Sequence, residues 1–368
     1  MRLQIYRPGG LLALLLLLTQ NATAFTLVYM GNLNGELEPC GCTLEGDFGG
    51  IKRQVSMLDR LRQAEPELMF LSPGGLLIAD IPSDRIRSDF ILRGMRILKP
   101  DVLGVQARDL AFGVDFLRHR QLPFVLSLTL KDAPFAWKKI LQRQQQRFAF
   151  FQWSKLNAAL MPAQPMPTQA AALQRLEKEL QTEKNAGHVT IVTAAQHPAR
   201  AKAILPLKHI DILIIPARRD EFIEPEKIGN TLLLQPGARG MRLGKLDFEL
   251  AGDGRAKHIA RWRHDVIPLL PSVPDSPRTR AWYEEYNAAL KANYEKQVAV
   301  RKQQEQGGSP YAGAEACRGC HARAFDIWQA SQHARAYEDL ESVGKVFDPN
   351  CIGCHSVGFG QPGGFLDA

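Results

Sequence analysis

Two pentads near the end of the 368-residue chain constrain it most: Cys317-Arg318-Gly319-Cys320-His321 and Cys351-Ile352-Gly353-Cys354-His355. C-x-x-C-H is the attachment signature of c-type haem. Two thiols three positions apart reach the two vinyl groups of one porphyrin, and the adjacent imidazole then meets the iron. The spacing predicts two covalent haems, one on Cys317, Cys320 and His321 and one on Cys351, Cys354 and His355. A region built around haem draws much of its core from the porphyrin, so short helices and loops are expected from Tyr311 to the end. The rival chemistry is zinc held by four thiolates from two C-x-x-C pairs. Zinc does not require a histidine after each pair, and an exported chain is poor territory for free thiolates.

Export follows from the other end of the chain. Arg2 and Arg7 form a positive segment, Leu11 to Leu18 an apolar one, and Ala22-Thr23-Ala24 a small-residue cleavage site. This is the order of a secretory signal over residues 1–24, with a mature chain beginning at Phe25. The apolar run is too short for a good membrane span, and no other stretch reaches 18 apolar residues. A periplasmic or otherwise exported protein with no transmembrane segment in the mature chain is expected. Haem c is attached outside the cytoplasm, so the two signals agree independently.

The net charge of +8 suits acidic redox partner proteins or other multihaem cytochromes more than nucleic acid. No basic cluster is interleaved with aromatic residues, so nucleic acid is excluded as a partner.

Between these two ends the pattern is α/β. Short apolar runs read as buried strands at Phe25-Met30, Leu68-Leu71, Val189-Ala194, Ile210-Ile215 and Thr231-Leu234. Amphipathic stretches at Gly50-Gln63 and Thr168-Glu183 read as helices between them, and alternation implies helix layered on sheet. Lys139-Arg147 reads as a polar, solvated surface stretch and Met161-Pro167 as a Pro-rich linker. After Asp275-Ser276-Pro277 a long polar helix is expected from Arg278 to about Gln306, ended by Gly307-Gly308-Ser309-Pro310. Its Trp282, Tyr283, Tyr286 and Tyr294 are candidates to pack on the haem region. The chain therefore divides into residues 1–24, an α/β domain at 25–270, a linker helix at 271–310 and a haem region at 311–368.

Each iron needs a proximal imidazole, His321 for the first haem and His355 for the second. His333 is the best distal candidate, and Arg335 is a candidate partner for a haem propionate. Two bis-histidine haems need four imidazoles and this region has three. The fourth ligand is then His258, His264, a methionine or a group outside this chain, or one haem is five-coordinate and open to a small molecule.

The string Tyr311-Ala312-Gly313, Cys317-x-x-Cys320-His321, Trp328-x-x-Ser331-x-His333-Ala334 and Asp348-Pro349-x-Cys351-x-x-Cys354-His355 resembles the multihaem cytochrome c-552/c-554 family. The resemblance covers about 55 residues. It implies closely packed haems, with His321 and His355 proximal and His333 distal, working in electron transfer. Members of that family usually continue to at least one more C-x-x-C-H, so a truncated or short two-haem variant is expected.

Residues 25 to about 265 resemble the metallophosphoesterase domain of the 5'-nucleotidase family. Leu27-Val28-Tyr29-Met30-Gly31-Asn32-Leu33-Asn34-Gly35 stands where the family has a strand and D-x-H. Pro73-Gly74-Gly75 stands for the G-D turn, Gln106-Ala107-Arg108-Asp109 for G-N-H-[DE], and Ala217-Arg218-Arg219-Asp220 for a later G-H-x-H. The frame is kept and the ligands are lost: only His197 remains in place of a family histidine. The resemblance implies a layered sandwich of metallophosphoesterase type with no hydrolytic activity. Arg108 and Arg218 are candidates to bind an anion there, and charge filling a vacated pocket is the plain alternative.

Cys40 and Cys42 form a C-x-C pair in the first loop of that domain. A static disulfide or buried thiol pair, a labile redox pair and a soft-metal site all stand open for it.

The functional expectation is a multihaem cytochrome whose pseudo-phosphoesterase domain is a scaffold, a docking surface or a redox module. The alternatives are a haem oxidoreductase acting on a small nitrogen or sulfur compound, and a metal-dependent phosphoesterase.

Overall fold

The computed structural model describes residues 24–39, 47–128, 133–155, 168–217, 221–304 and 309–366. The signal segment, the Pro-rich linker, Arg218 and the Cys40/Cys42 pair lie outside the described residues. No helix among the described residues is long and apolar enough to cross a membrane.

Two six-stranded sheets face each other. The first has the order β12-β11-β1-β2-β3-β4. Its strands are β1 (Ala24–Met30), β2 (Met69–Ser72), β3 (Val102–Gly104), β4 (Phe124–Val125), β11 (Arg242–Ala251) and β12 (His258–Pro268). β1 to β4 run parallel, β11 pairs antiparallel with β1, and β12 pairs antiparallel with β11 at the sheet edge. The second has the order β5-β6-β7-β8-β10-β9. It comprises β5 (Lys139–Arg143), β6 (Gln146–Ser154), β7 (Val189–Ala195), β8 (Ile212–Ile214), β9 (Ile223–Ile228) and β10 (Thr231–Gln235). β6, β7, β8 and β10 are parallel, with antiparallel β5 and β9 at the edges.

The apolar runs explain the layering. A strand buried on both faces carries side chains for two cores at once. In β1, Phe25, Leu27 and Tyr29 enter an inter-sheet core with Phe148, Phe150, Ile191, Ile214 and Phe248. The alternate residues Val28 and Met30 join a second cluster with Ile51, Val55 and Leu58 of α1 (Ile51–Ala64) and Ile91 and Met95 of α2 (Asp84–Leu98). On the other sheet Phe151 and Val192 share that cluster with Leu176 and Leu180 of α4 (Gln169–Asn185). Burying each such side chain stabilises by about 1.5–3 kcal/mol. Parallel neighbours need crossovers, which α1, α2, α3 (Val114–Arg118), α4 and α5 (Pro198–Ile204) supply.

Lys139-Arg147, expected as a polar, solvated surface stretch, is one, and it takes the form of a hairpin in which Lys139 pairs with Phe150 and Arg143 with Gln146. Its residues are polar because β5 is an edge strand, so most of its side chains remain in contact with solvent.

The long helix runs as α6 (Arg280–Gln304) and packs in two halves. Trp282 and Tyr286 belong to the α/β cluster, with Trp282 Nε1 donating to Phe90 O at 3.0 Å. Tyr283 and Tyr286 lie under Lys345, whose Nζ is 5.0 Å and 5.9 Å from their ring centroids, and Tyr294, one turn after Leu290, forms a small core with Leu340 and Ile352. Of the four aromatic residues expected to pack on the C-terminal region, Tyr283, Tyr286 and Tyr294 touch it, while Trp282 packs into the α/β cluster. The helix is amphipathic along its length, but its neighbour changes halfway.

The C-terminal region is small and helical: α7 (Glu315–Arg318), α8 (Ala322–Gln329), α9 (Ala336–Ser342) and α10 (Pro349–His355), with a 3-10 turn at Gln332–Arg335.

Candidate haem sites and a closed phosphoesterase pocket

α10 carries the whole second pentad. Asp348 caps it, its carboxylate accepting from Asn350 N at 3.0 Å, and Pro349 fills the first turn where no N–H is needed. Cys351 and Cys354 stand three residues apart on one helix, so they share a face. His355 follows at the last turn. Its Nδ1 lies 2.5 Å from Ala336 O. A carbonyl only accepts, so Nδ1 holds the proton and Nε2 of the neutral ring keeps its lone pair. An imidazole with its far nitrogen held this way is oriented and made more basic as an iron ligand.

The first pentad spans a break: α7 ends at Arg318, His321 precedes α8, and His321 N donates to Cys317 O at 2.9 Å. Cys317, Cys320 and Cys354 are exposed thiols and Cys351 is half-buried. His321 and His333 are also exposed, with His333 in the 3-10 turn that ends just before Ala336. The segment 332–336 therefore carries both the distal candidate and the carbonyl that orients His355. Ile327, Val343 and Val357 are more than 60% exposed around these motifs. Apolar surface of this kind marks where a large apolar group seats. Exposed thiols at Cys317, Cys320 and Cys354, an oriented imidazole and exposed apolar side chains together fit covalent haem.

His258 and His264 are not brought to this region. Both lie on β12 at the edge of the first sheet, where His264 Nε2 is 2.7 Å from the Tyr29 hydroxyl and His258 Nδ1 is 3.1 Å from Ala256 O.

The ends of β1, β2 and β3 form the second candidate pocket, and its chemistry is closed. Gln106 Nε2 donates to Asn32 Oδ1 at 2.6 Å and to Pro73 O at 3.1 Å. Asn32 Nδ2 donates to Ala217 O at 3.4 Å. A Cβ added at Gly75 would lie 2.4 Å from Asn32 Oδ1, so these amides occupy the place of a side chain there. Arg108 donates to Asn34 Oδ1. His197 does not act as a ligand: its Nδ1 caps α5 by accepting from Ala199 N at 3.3 Å. No group of three or more His, Cys, Asp or Glu able to hold a metal ion occurs among the described residues. The residues present do not fit a two-metal centre.

The remaining acid, Asp109, is structural. Buried at the end of β3, it accepts from Gly75 N at 2.8 Å, Leu76 N at 2.7 Å, Leu77 N at 3.2 Å and Gln106 N at 2.9 Å. Burial pushes its carboxyl above the ordinary range, against the pull of these four amides. Sequence reasoning placed Gln106 and Asp109 in the motif string but gave neither a structural role. Their signal was the three-residue spacing of a capping box at the start of a helical turn. Gly75→Ala is expected to lose about 1–3 kcal/mol in urea unfolding, since Gly75 has φ 67° and its Cβ would displace the Asn32–Gln106 pair. Unchanged stability would show that the pair yields freely.

The two parts thus join a segment with two haem-attachment motifs to an α/β unit of the 5'-nucleotidase and calcineurin-like phosphoesterase fold. Residues 316–368 match the family model for cytochrome c554 and c-prime. Cytochrome c-554 of Nitrosomonas europaea is 32% identical over 72 residues, covering 16% of this chain and 31% of that protein. The chain therefore spans about a third of the curated relative it matches. The 5'-nucleotidase precursor of Thermus thermophilus superposes with TM-score 0.60 at 15% identity, covering 73% of this chain and 59% of that one. The sulfate thiohydrolase SoxB of the same genus gives TM-score 0.60 at 16% identity over 72% of this chain and 60% of that one. A calcineurin-like phosphoesterase from Bacillus subtilis gives 0.54 at 13%, over 72% of this chain and 97% of that one. At these identities the likeness is one of fold.

Proposed function

We propose that this protein is an exported multihaem c-type cytochrome that passes electrons through two covalent haems, with the phosphoesterase-like domain as its scaffold and docking surface. The observation that carries this reading is the pairing of two C-x-x-C-H motifs with the His355 Nδ1 to Ala336 O bond, which leaves Nε2 for iron. Bound haem supplies the one-electron carrier. The chain's own residues would do the rest: Cys317, Cys320, Cys351 and Cys354 would anchor the haems, His321 and His355 would ligate the irons, and His333 would supply a further imidazole. The closed Asn32–Gln106 pocket weighs against hydrolysis. Net charge of +8 suits an acidic redox partner.

The test is a pyridine haemochrome assay with intact mass on mature protein made with a cytochrome c maturation system. Two covalent haems per chain are expected, and one fewer in the Cys351→Ser/Cys354→Ser variant. No covalent haem would refute the reading. A phosphatase assay with Mn²⁺, Mg²⁺ or Zn²⁺ on the same sample is expected to show no metal-dependent turnover.

A second reading draws on the supply of imidazoles. His258 and His264 are engaged on β12, and residues 311–368 hold three histidines for four axial positions. One open haem would permit chemistry on a small nitrogen or sulfur compound. Carbon monoxide binding to the reduced protein would favour it, and two low-spin six-coordinate spectra without such binding would remove it.

A further inference from the structure

Three side chains from separate parts of the chain meet in the seam between the haem region and the α/β domain. Arg87 lies in the first turn of α2, Tyr286 on α6, and Asp348 at the cap of α10. Arg87 Nη2 is 3.7 Å from Asp348 Oδ1, and the two side chains are only 13% and 8% exposed. The Tyr286 hydroxyl acts electrostatically on Arg87 from α6. Beside them Lys345 Nζ bonds Glu38 Oε1 at 2.7 Å and Asn287 Oδ1 at 2.8 Å. Arg87, Glu38, Lys345 and Tyr286 are the ionisable groups acting on Asp348, and Asp84 acts on Arg87 from its own helix.

Asp348 would be an ordinary helix cap if it were on the surface. It is buried, and its carbonyl accepts from both Cys351 N and Ile352 N at 3.0 Å. Its carboxylate therefore sits within one turn of Cys351 and two turns of His355. A buried carboxylate requires a compensating cation, and α2 of the phosphoesterase-like domain supplies it.

We propose that Arg87 is a positioning residue for the second haem: by neutralising Asp348 it fixes the reduction potential of the haem attached at Cys351 and Cys354. The proposal rests on the haem reading above. It gives the phosphoesterase-like domain a share in electron transfer through charge, with no chemistry in its own pocket. Reduction adds one electron to the iron. An uncompensated anion at Asp348 favours the more positive, oxidised iron, and an uncompensated Arg87 favours the reduced one. A unit charge on the order of 10 Å away, at an effective dielectric of about 20, changes the reduction equilibrium roughly tenfold.

The experiment is a spectroelectrochemical titration of the full-length holoprotein, with dithionite as reductant and ferricyanide as oxidant. Arg87→Gln is expected to lower the potential of one haem and Asp348→Asn to raise it. Each shift is about tenfold in the equilibrium constant, or about 59 mV for a one-electron couple. The double variant is expected to return close to the parent. Asparagine also caps helices well, so Asp348→Asn removes the charge and keeps α10. The affected wave is assigned as the one missing from Cys351→Ser/Cys354→Ser. Arg87→Lys, which keeps the charge, is expected to keep the potential.

A purely structural role would move both single variants the same way and make the double variant worse. That result, no shift in either single variant, or a shift in Arg87→Lys as large as in Arg87→Gln, would overturn the proposal. Haem content is measured on every sample. A parent protein with no second haem would refute the haem reading itself, an outcome separate from a second haem whose potential ignores Arg87.

Discussion

Asp109→Ala is expected to lose about 3–5 kcal/mol of stability, the largest single effect in the α/β domain. The carboxylate accepts four backbone N–H groups from two segments, Gly75 to Leu77 and Gln106. Each buried donor left without a partner costs about 1–3 kcal/mol, and water entering the space recovers part of the sum. The effect is more than local, because these bonds tie the turn after β2 to the turn after β3. That tie holds Gly75 against the Asn32–Gln106 pair. Asp109→Asn retains one acceptor oxygen and turns an N–H toward donors, so it is expected to lose less than alanine and still be destabilised. Urea unfolding at neutral pH measures both. A loss below about 1 kcal/mol in Asp109→Ala would mean that water replaces the carboxylate without penalty.

The second large effect concerns haem. Protein made in the cytoplasm, without haem attachment, is expected to keep its two-sheet domain and lose order over residues 309–366. The core of that region consists of Tyr294, Leu340 and Ile352, flanked by half-buried groups such as Tyr337, Val346 and Phe365. A segment of this length rarely folds on its own apolar contacts, and small domains draw on metals or cofactors for that reason. Ile327, Val343 and Val357 remain largely in water. Local opening there is expected near zero free energy in the apo form. The inter-sheet core, with Phe25, Phe148, Phe150 and Phe248 packed together, resists opening. Limited proteolysis followed by intact mass should show the C-terminal segment cleaved at least tenfold faster in apo than in holo protein, with an α/β fragment persisting in both. Equal protection of the two forms would show that the helices hold without haem.

Some elements were readable from residues alone because their signal is local. Phe25-Met30 and Val189-Ala194 are short, mostly apolar runs broken only by threonine, and they became β1 and β7 within a residue at each end. The helix starting near Arg278 emerged as α6, announced by Ser276 and Pro277 ahead of it. Lys139-Arg147 reads correctly as solvated surface, but its strand character shows only through pairing with Gln146–Ser154, because an edge strand exposes polar side chains. His197 looked like a surviving ligand because it follows a strand. Its role as a helix cap is set by Pro198 and Ala199 after it.

The haem motifs belong wholly to the sequence. Two cysteines and a histidine within five residues are bound to one another by covalent spacing, so no tertiary contact is needed to read them. The absence of metal ligands at Asn32, Gly75 and Arg108 is equally local, since a missing side chain is missing in any fold. Tertiary structure decided what occupies those places and what stands beside the haem helix. Gln106 fills the space opposite Gly75, the Ala336 carbonyl selects the proton-bearing nitrogen of His355, and Arg87 meets Asp348. Asp348 and Arg87 lie far apart in the chain. Buried charges and amides find partners by where packing leaves them, and that is a property of the assembled layers rather than of any stretch of sequence.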